Sequence, residues 1–456
     1  MSYEQWTEFA GLESAGTETY GKHMKETIEW PHANEKREED ICFTFFVAAA
    51  LIGLCQFRFG PISFSPGNEM VSIARNLAEH GSYANPEAVL ATGPTALSPP
   101  LYPCYLALLM KITRSTDWFY LAASLTCIVA NAFTASWLPR VSRVFYGSSM
   151  PGIFGAVLWL ASMILMPSWD GNLTQAGLLL FCLFTTSSLE EGKSLVRTLT
   201  AGILASLLYL SNPGTTLIIA PWIAYLVIRR KASLRQASTL SAVLFLVLFL
   251  WAGRNYLQLG TFAARTGMGI SLNLSNNDCA QSSLIENASN GCDQSHQRNA
   301  NISEAQLMRS MGEAAYDRKR GSDAMSWINS HPKRFSVLCI ERFRDFWFPP
   351  FDEDLYYRQE NLFYSPAIWL ATALSIPGLA LMIKRREPVS WFVLAVLIVY
   401  PAMYYVNISD VRYRYPVLWL SFLPAGYFLC QIYFRFSVRR TAKKAPARHR
   451  QPESAR

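Results

Sequence analysis

Leu101-Tyr102-Pro103-Cys104-Tyr105-Leu106-Ala107-Leu108-Leu109-Met110-Lys111-Ile112 is the stretch on which the reading of the chain turns. It offers about ten apolar residues before Lys111, whereas a hydrocarbon core about 30 Å thick needs roughly 20 in a helix. It therefore predicts a helix lying in the membrane interface. The short basic linkers depend on that choice. Arg140 and Arg143, Lys193 and Arg197, the run Arg229, Arg230, Lys231 and Arg235, and Lys384, Arg385 and Arg386 fall on one face only if this stretch does not cross. So does the tail with Arg439, Arg440, Lys443 and Lys444. Lys and Arg in short loops mark the cytoplasmic side.

Composition makes the same case. Of 456 residues 51% are hydrophobic and 16% charged, and the charges crowd the linkers. Ten apolar runs stand out, at 41–57, 118–138, 150–167, 173–188, 198–211, 214–229, 236–253, 366–383, 389–405 and 413–434. The predicted fold is an all-α polytopic membrane bundle of about ten transmembrane helices. Its expected parts are a cytoplasmic tail (1–40), a transmembrane module (41–253), a large outer loop (254–365), C-terminal transmembrane helices (366–434) and a basic cytoplasmic tail (435–456). The module itself contains a first outer loop, 58–117. The first 40 residues are polar and mixed in charge, which is not the pattern of a cleavable signal peptide. The net charge of +8 is scattered over linkers and forms no single face, as anchoring to anionic lipid requires and nucleic-acid binding does not.

Two long loops on one face predict a chamber for chemistry there. In the first, Pro66-Gly67-Asn68 is a turn with Asn68 as helix N-cap. Met70, Ile73, Ala74 and Leu77 trace an apolar stripe, Ser72, Arg75, Asn76 and Glu79 take the other face, and Gly81 ends the helix. This predicts an amphipathic helix on the membrane surface. The prolines of Thr92–Pro94 and Ser98–Pro103 predict a rigid extended connection held against the protein body. In the second loop, 273–301 reads as irregular, and two helices follow. Ser303 with Gln306 suggests a capping box for one, and His331-Pro332 opens the other, with Phe335, Leu338, Cys339, Arg342 and Phe346 on one face. Seven of nine cysteines sit in or beside apolar segments. Cys279 and Cys292 lie in a polar stretch, where a disulfide suits an oxidising compartment. No zinc spacing, phosphate-binding glycine loop or Ser-His-Asp pattern stands out.

An ordered set of motifs carries a family likeness. Glu69 in the first loop is followed by Pro99-Pro100-Leu101-Tyr102-Pro103, Trp169-Asp170, Asn212-Pro213 and Trp251-x-x-Arg254-Asn255-Tyr256. Gly312-Glu313-x-x-Tyr316 and Arg412-Tyr413-Arg414-Tyr415-Pro416 complete it. From about 41 to 434 the chain resembles the GT-C superfamily of membrane glycosyltransferases, nearest to bacterial family 39 proteins related to protein O-mannosyltransferases and aminoarabinose transferases. The resemblance implies transfer of a sugar from a polyprenyl-phosphate donor to a glycan, lipid or protein acceptor on the outer face of a bacterial plasma membrane, with inversion. It also leaves a divalent metal ion open as cofactor.

The resemblance implies that Glu69 is the general base. Many mannosyltransferase-type relatives have an aspartate before this position, but here Asn68 stands there. The ordinary alternative is that Glu69 complements the helix dipole. Asp170 is the second acidic candidate, for acceptor, donor sugar or metal, or simply a solvated loop residue. Arg412 and Arg414 suit a phosphate through bidentate hydrogen bonds, or snorkel beside an aromatic belt. Arg254 is a further donor-binding candidate, or with Asn255 fixes the loop. The rival class is a lipid-linked-sugar flippase or transporter. Against it stand the absence of repeat halves and spans almost free of charge.

Overall fold

The computed structural model describes residues 35–59, 68–162, 170–189, 194–296, 301–350 and 364–444. Among these residues the chain is helical, with no named strand. The first four helices are α1 (Glu35–Phe59), α2 (Glu69–His80), α3 (Leu101–Thr113) and α4 (Thr116–Tyr146). The bundle continues through α5 (Met150–Ser162), α6 (Asp170–Ser188), α7 (Leu195–Ser211), α8 (Thr216–Ile228) and α9 (Leu234–Leu259). The second loop folds as α10 (Met268–Ser275), α11 (Leu284–Ser289), α12 (Cys292–His296), α13 (Ile302–Met311), α14 (Glu313–Ser330) and α15 (Pro332–Trp347). Helices α16 (Tyr364–Lys384), α17 (Ser390–Val406) and α18 (Tyr415–Lys444) finish the bundle.

Each apolar run of the sequence lies in a helix over its described residues, and the molecule is a polytopic membrane protein. Four stretches are long and apolar enough to cross a bilayer: Thr116–Tyr146, Leu234–Leu259, Pro366–Lys384 and Val411–Phe436. Helices α5, α7 and α17 are apolar but shorter, as is the stretch Pro213–Ile228. At about 1.5 Å per residue, 13 residues reach only about 20 Å.

Aromatic packing holds the bundle. Phe145 stands 5.5 Å from Trp222 and 6.0 Å from Phe392, and Trp159 is 5.2 Å from Phe422. Backbones touch where α5 meets α18: a Cβ on Gly426 would lie 2.1 Å from the Pro151 carbonyl oxygen, so only glycine permits that approach. Helix α9 stands at the edge, with Phe245, Leu246, Phe249 and Leu250 exposed as a lipid-facing helix requires.

The predicted first-loop helix forms. Asn68 accepts the Met70 N–H at 2.9 Å, and Gly81 closes α2 with φ +68°. Its apolar face does not lie bare on a membrane surface, however. Val71 and Ala74 pack with Tyr102, Leu106 and Ala107 of α3 and with Phe119 and Ala123 of α4. Asn76, expected on the polar face, is buried and donates to Ser82 Oγ at 2.8 Å. Helix α3 keeps a second apolar face, with Leu108 and Ile112 exposed. The proline-rich connection is buried against the body, with Thr95, Ala96, Leu97 and Ser98 almost fully covered.

The second loop differs from expectation in two places. The stretch read as irregular, 273–301, contains the end of α10 and all of α11 and α12, while its Cys279 and Cys292 are joined by the expected disulfide, with Cα atoms 5.6 Å apart. The expected Ser303 capping box is replaced by Asn301, whose side chain accepts from the Ser303 and Glu304 N–H groups, so the helix begins earlier. Gly312, at φ +80°, then separates α13 from α14, giving three helices where the sequence suggested two. The His331-Pro332 start is as expected. Buried Arg342 of α15 donates to the Val406 carbonyl at 2.9 Å and to the Ser275 carbonyl, tying the loop to α17. Val337, Ile340 and Phe343 form an exposed apolar stripe on the opposite side of α15.

Candidate active site

The first turn of α6, the short 3-10 turn Val411–Arg414 and the two long loops meet at one end of the bundle. Asp170 opens α6, and Trp169 lies outside the described residues. Its carboxylate accepts from its own N–H and that of Gly171, while Arg412 and Arg265 act on it electrostatically. Burial pushes the carboxyl up to about 6, against the opposing pull of both arginines.

Arg412 is positioned by the 3-10 turn. Asp410 caps that turn by accepting the Arg412 N–H at 3.0 Å, and its Oδ2 forms an ion pair with the guanidinium, 3.1 Å from Arg412 Nε. The guanidinium lies over the Tyr413 ring at 5.2 Å, and Tyr413 stacks on Tyr404 at 4.6 Å. One carboxylate thus fixes Arg412 from behind while a second, Asp170, is within electrostatic reach.

Arg265 was not singled out from the sequence. It sits in the short segment after the Gly260 helix stop, with no motif around it, and only the fold carries it to Asp170. Its Nε donates to the Leu97 carbonyl at 2.6 Å, which joins the second loop to the proline-rich part of the first. Asp170, Tyr83, Tyr209 and Tyr404 all feel its charge.

Glu69 is the first residue of α2 and is half-buried. It approaches the same cluster through Tyr83, which is within electrostatic reach of Glu69, Arg254 and Arg265 together. The Tyr83 hydroxyl donates to the Ser98 carbonyl at 2.8 Å, holding the first loop closed beside Glu69.

Two sequence candidates are engaged by groups of the protein itself. Arg254 donates to the Thr95 carbonyl at 2.7 Å, the Tyr83 carbonyl at 2.9 Å and Asn255 Oδ1 at 3.0 Å, and its guanidinium lies over Tyr83 and Trp251. With those contacts it fixes the first loop. Arg414 is buried to 1% exposure, donates to the Trp347 carbonyl at 3.0 Å and to Ser421 Oγ at 3.3 Å, and stacks on the Trp347 ring. Alternate residues of a tight turn point apart, so Arg412 acts on Asp170 while Arg414 enters the bundle. Thr174 and Gln175, one turn below Asp170, bond to Ser211 and Thr134 of neighbouring helices. Glu313, from the sixth motif, is also positional: it accepts the Ala96 N–H at 2.7 Å and the Thr266 hydroxyl.

The donor set around Asp170 does not fit a divalent cation. Its identified charged neighbours are two arginines, which repel a metal. Among the described residues the one Cys/His/carboxylate group close enough to share an ion is Cys279, Cys292 and His296. Its two sulfurs are bonded to each other, which removes the thiolates zinc would need.

No protein-family model matches the chain, and no curated protein matches it. Solved structures do. The apo crystal structure of the Archaeoglobus fulgidus oligosaccharyltransferase matches over 89% of this chain and 52% of its own, at 13% identity and a TM-score of 0.50. The fold is the GT-C fold. The Archaeoglobus fulgidus AglB oligosaccharyltransferase, in complex with an inhibitory peptide and a dolichol-phosphate, aligns over 90% of this chain and 52% of its own, at 13% identity and a TM-score of 0.47. ArnT from Cupriavidus metallidurans, bound to undecaprenyl phosphate, aligns over 88% of this chain and 80% of its own, at 11% identity and a TM-score of 0.36. The chain spans about half the length of the oligosaccharyltransferase chains it matches. In this fold Asp170 lies within electrostatic reach of Arg412 and Arg265, and Glu69 and Arg265 both act on Tyr83.

Proposed function

We propose that this protein is an integral membrane glycosyltransferase that moves a sugar from a polyprenyl-phosphate carrier to an acceptor hydroxyl on the outer face of the membrane. The observation that carries the reading is the meeting of Asp170, Arg265 and Arg412 at the end of the bundle, under a loop that brings Glu69 alongside. Two guanidinium groups suit a phosphate whose negative charge grows as the sugar leaves. Glu69 takes the proton of the acceptor hydroxyl as its oxygen bonds to C1. The bond from C1 to the phosphate oxygen breaks, the configuration at C1 inverts, and the carrier departs as polyprenyl phosphate. Asp170 holds the two arginines in orientation and hydrogen-bonds the sugar or acceptor. The exposed apolar faces of α3 and α15 give the lipid carrier a path at membrane level.

The sugar is followed directly with purified protein in nanodiscs and radiolabelled polyprenyl-phosphate pentose, hexose and amino-sugar donors. The expected result is acceptor-dependent release of free polyprenyl phosphate with label on the acceptor. In proteoliposomes, label that changes leaflets while staying on the carrier would identify a flippase and overturn the reading.

A further inference from the structure

Helices α16 and α18 lie side by side and touch where Gly378 meets Pro424. A Cβ on Gly378 would stand 2.0 Å from the Pro424 carbonyl oxygen, so the backbones are in contact there. Proline interrupts both helices at this crossing, through Pro377 and Pro424. Beyond it, toward their C-terminal ends, the helices part and leave an open groove of ≈ 290 Å³. Its walls are Ala380 and Leu381 on one side and Phe428 and Ile432 on the other, and Lys384 and Arg435 stand at its mouth. Lys384 and Arg435 are exposed, and Arg385 and Arg386 follow Lys384 directly. The nearby acid, Glu387, is engaged by the Tyr427 hydroxyl at 3.0 Å. Arg435 is one membrane thickness along α18 from Tyr415, roughly 30 Å at 1.5 Å per residue. The groove therefore opens at the membrane face opposite Asp170 and Arg412.

We infer that this groove binds an anionic membrane phospholipid, with an acyl chain against Ala380, Leu381, Phe428 and Ile432 and the phosphate between Lys384 and Arg435. The charge pattern selects that occupant. An apolar slot ending in two cations at the depth of the headgroups complements a single amphiphile with an anionic head. A peptide or a second copy of the chain would bring no such matched anion to the apolar–polar boundary. The inference is independent of the transferase reading.

The test is native mass spectrometry of the full-length protein, delipidated in detergent and supplied with phosphatidylglycerol, phosphatidylcholine or undecaprenyl phosphate. Wild type should retain one phosphatidylglycerol at least fivefold better than phosphatidylcholine. Lys384→Ala with Arg435→Ala should remove that bound lipid and the preference. Both residues are exposed, so the double variant keeps its fold, which a monodisperse elution profile checks. Lys384→Arg should preserve binding, and Ala380→Phe, which fills the slot, should lower retention without altering surface charge. Equal phosphatidylglycerol retention by the double variant would overturn the inference. So would a loss confined to undecaprenyl phosphate, which would make the groove a carrier site, or displacement of the lipid by inorganic phosphate alone.

Discussion

Replacing Asp170 with Asn separates a functional carboxylate from a structural one, because the two roles predict opposite signs. The Asp170 carboxyl is pushed from 3.8 to about 6 by burial, even with Arg412 and Arg265 pulling the other way. A tenfold change in proton affinity is about 1.4 kcal/mol, so keeping this group ionised costs the fold at most about 3 kcal/mol. The residue retains some exposed surface, where water screens it, so about 1–2 kcal/mol is the expected effect. The sign follows from linkage. Below about pH 4 the carboxyl is protonated folded or unfolded, and parent and variant should match. As pH rises through about 6 the unfolded chain is already ionised while the fold resists, and the parent loses ground to the variant. Asp170→Asn should therefore unfold several degrees higher at pH 8 and at nearly the same temperature at about pH 3, below the unfolded value of 3.8, measured by tryptophan fluorescence in detergent. The same variant should lose transfer activity by about 10²-fold or more, because its neutral side chain no longer orients the two arginines. In the parent, turnover should fall about tenfold between pH 7 and pH 5 as the carboxylate protonates. A variant that is less stable at pH 8, or one that transfers sugar at the parental rate, would refute the assignment.

Glu69→Gln should reduce turnover by about 10²–10⁴ while donor binding persists, since the amide keeps the shape and loses the basic oxygen; parental turnover would move the base to Asp170. Arg412→Ala and Arg265→Ala should weaken donor binding in a titration with a lipid-phosphate analogue. Arg414→Ala should leave donor affinity unchanged and instead cost about 1–3 kcal/mol of stability, because the Trp347 carbonyl loses a buried partner. Mass spectrometry under alkylating conditions should find Cys279 and Cys292 linked, and Cys292→Ser should cost the loop about 2–3 kcal/mol. Cysteines introduced at the exposed positions Val89 and Ser115 should label from the same face of the membrane, which a spanning Leu101–Ile112 would forbid; buried Ser98 is unsuitable as a probe.

Many features that depend on near neighbours in the chain were legible in the sequence, although Asn301 caps α13 where Ser303 was expected to. Apolar runs fixed the helices, Asn68 and Gly81 bounded α2, and Pro332 opened α15, because capping and helix entry are settled within a turn or two. The order of motifs carried the likeness to the GT-C superfamily. The cysteine pair was legible because two thiols stood apart in a polar stretch. Rotation of side chains was not legible. Arg412 and Arg414 look alike as neighbours of Tyr413, yet one reaches toward Asp170 and the other is swallowed by the bundle. Arg254 reads as a phosphate ligand until the carbonyls of Tyr83 and Thr95, more than 150 positions away, claim its donors. Arg265 carries no local signal, since what makes it a site residue is the folding of the second loop onto the first. The face that α2 buries was equally beyond a periodicity argument, because an apolar stripe does not say whether lipid or α3 will cover it. Long-range contacts decide such questions, and only the tertiary structure contains them.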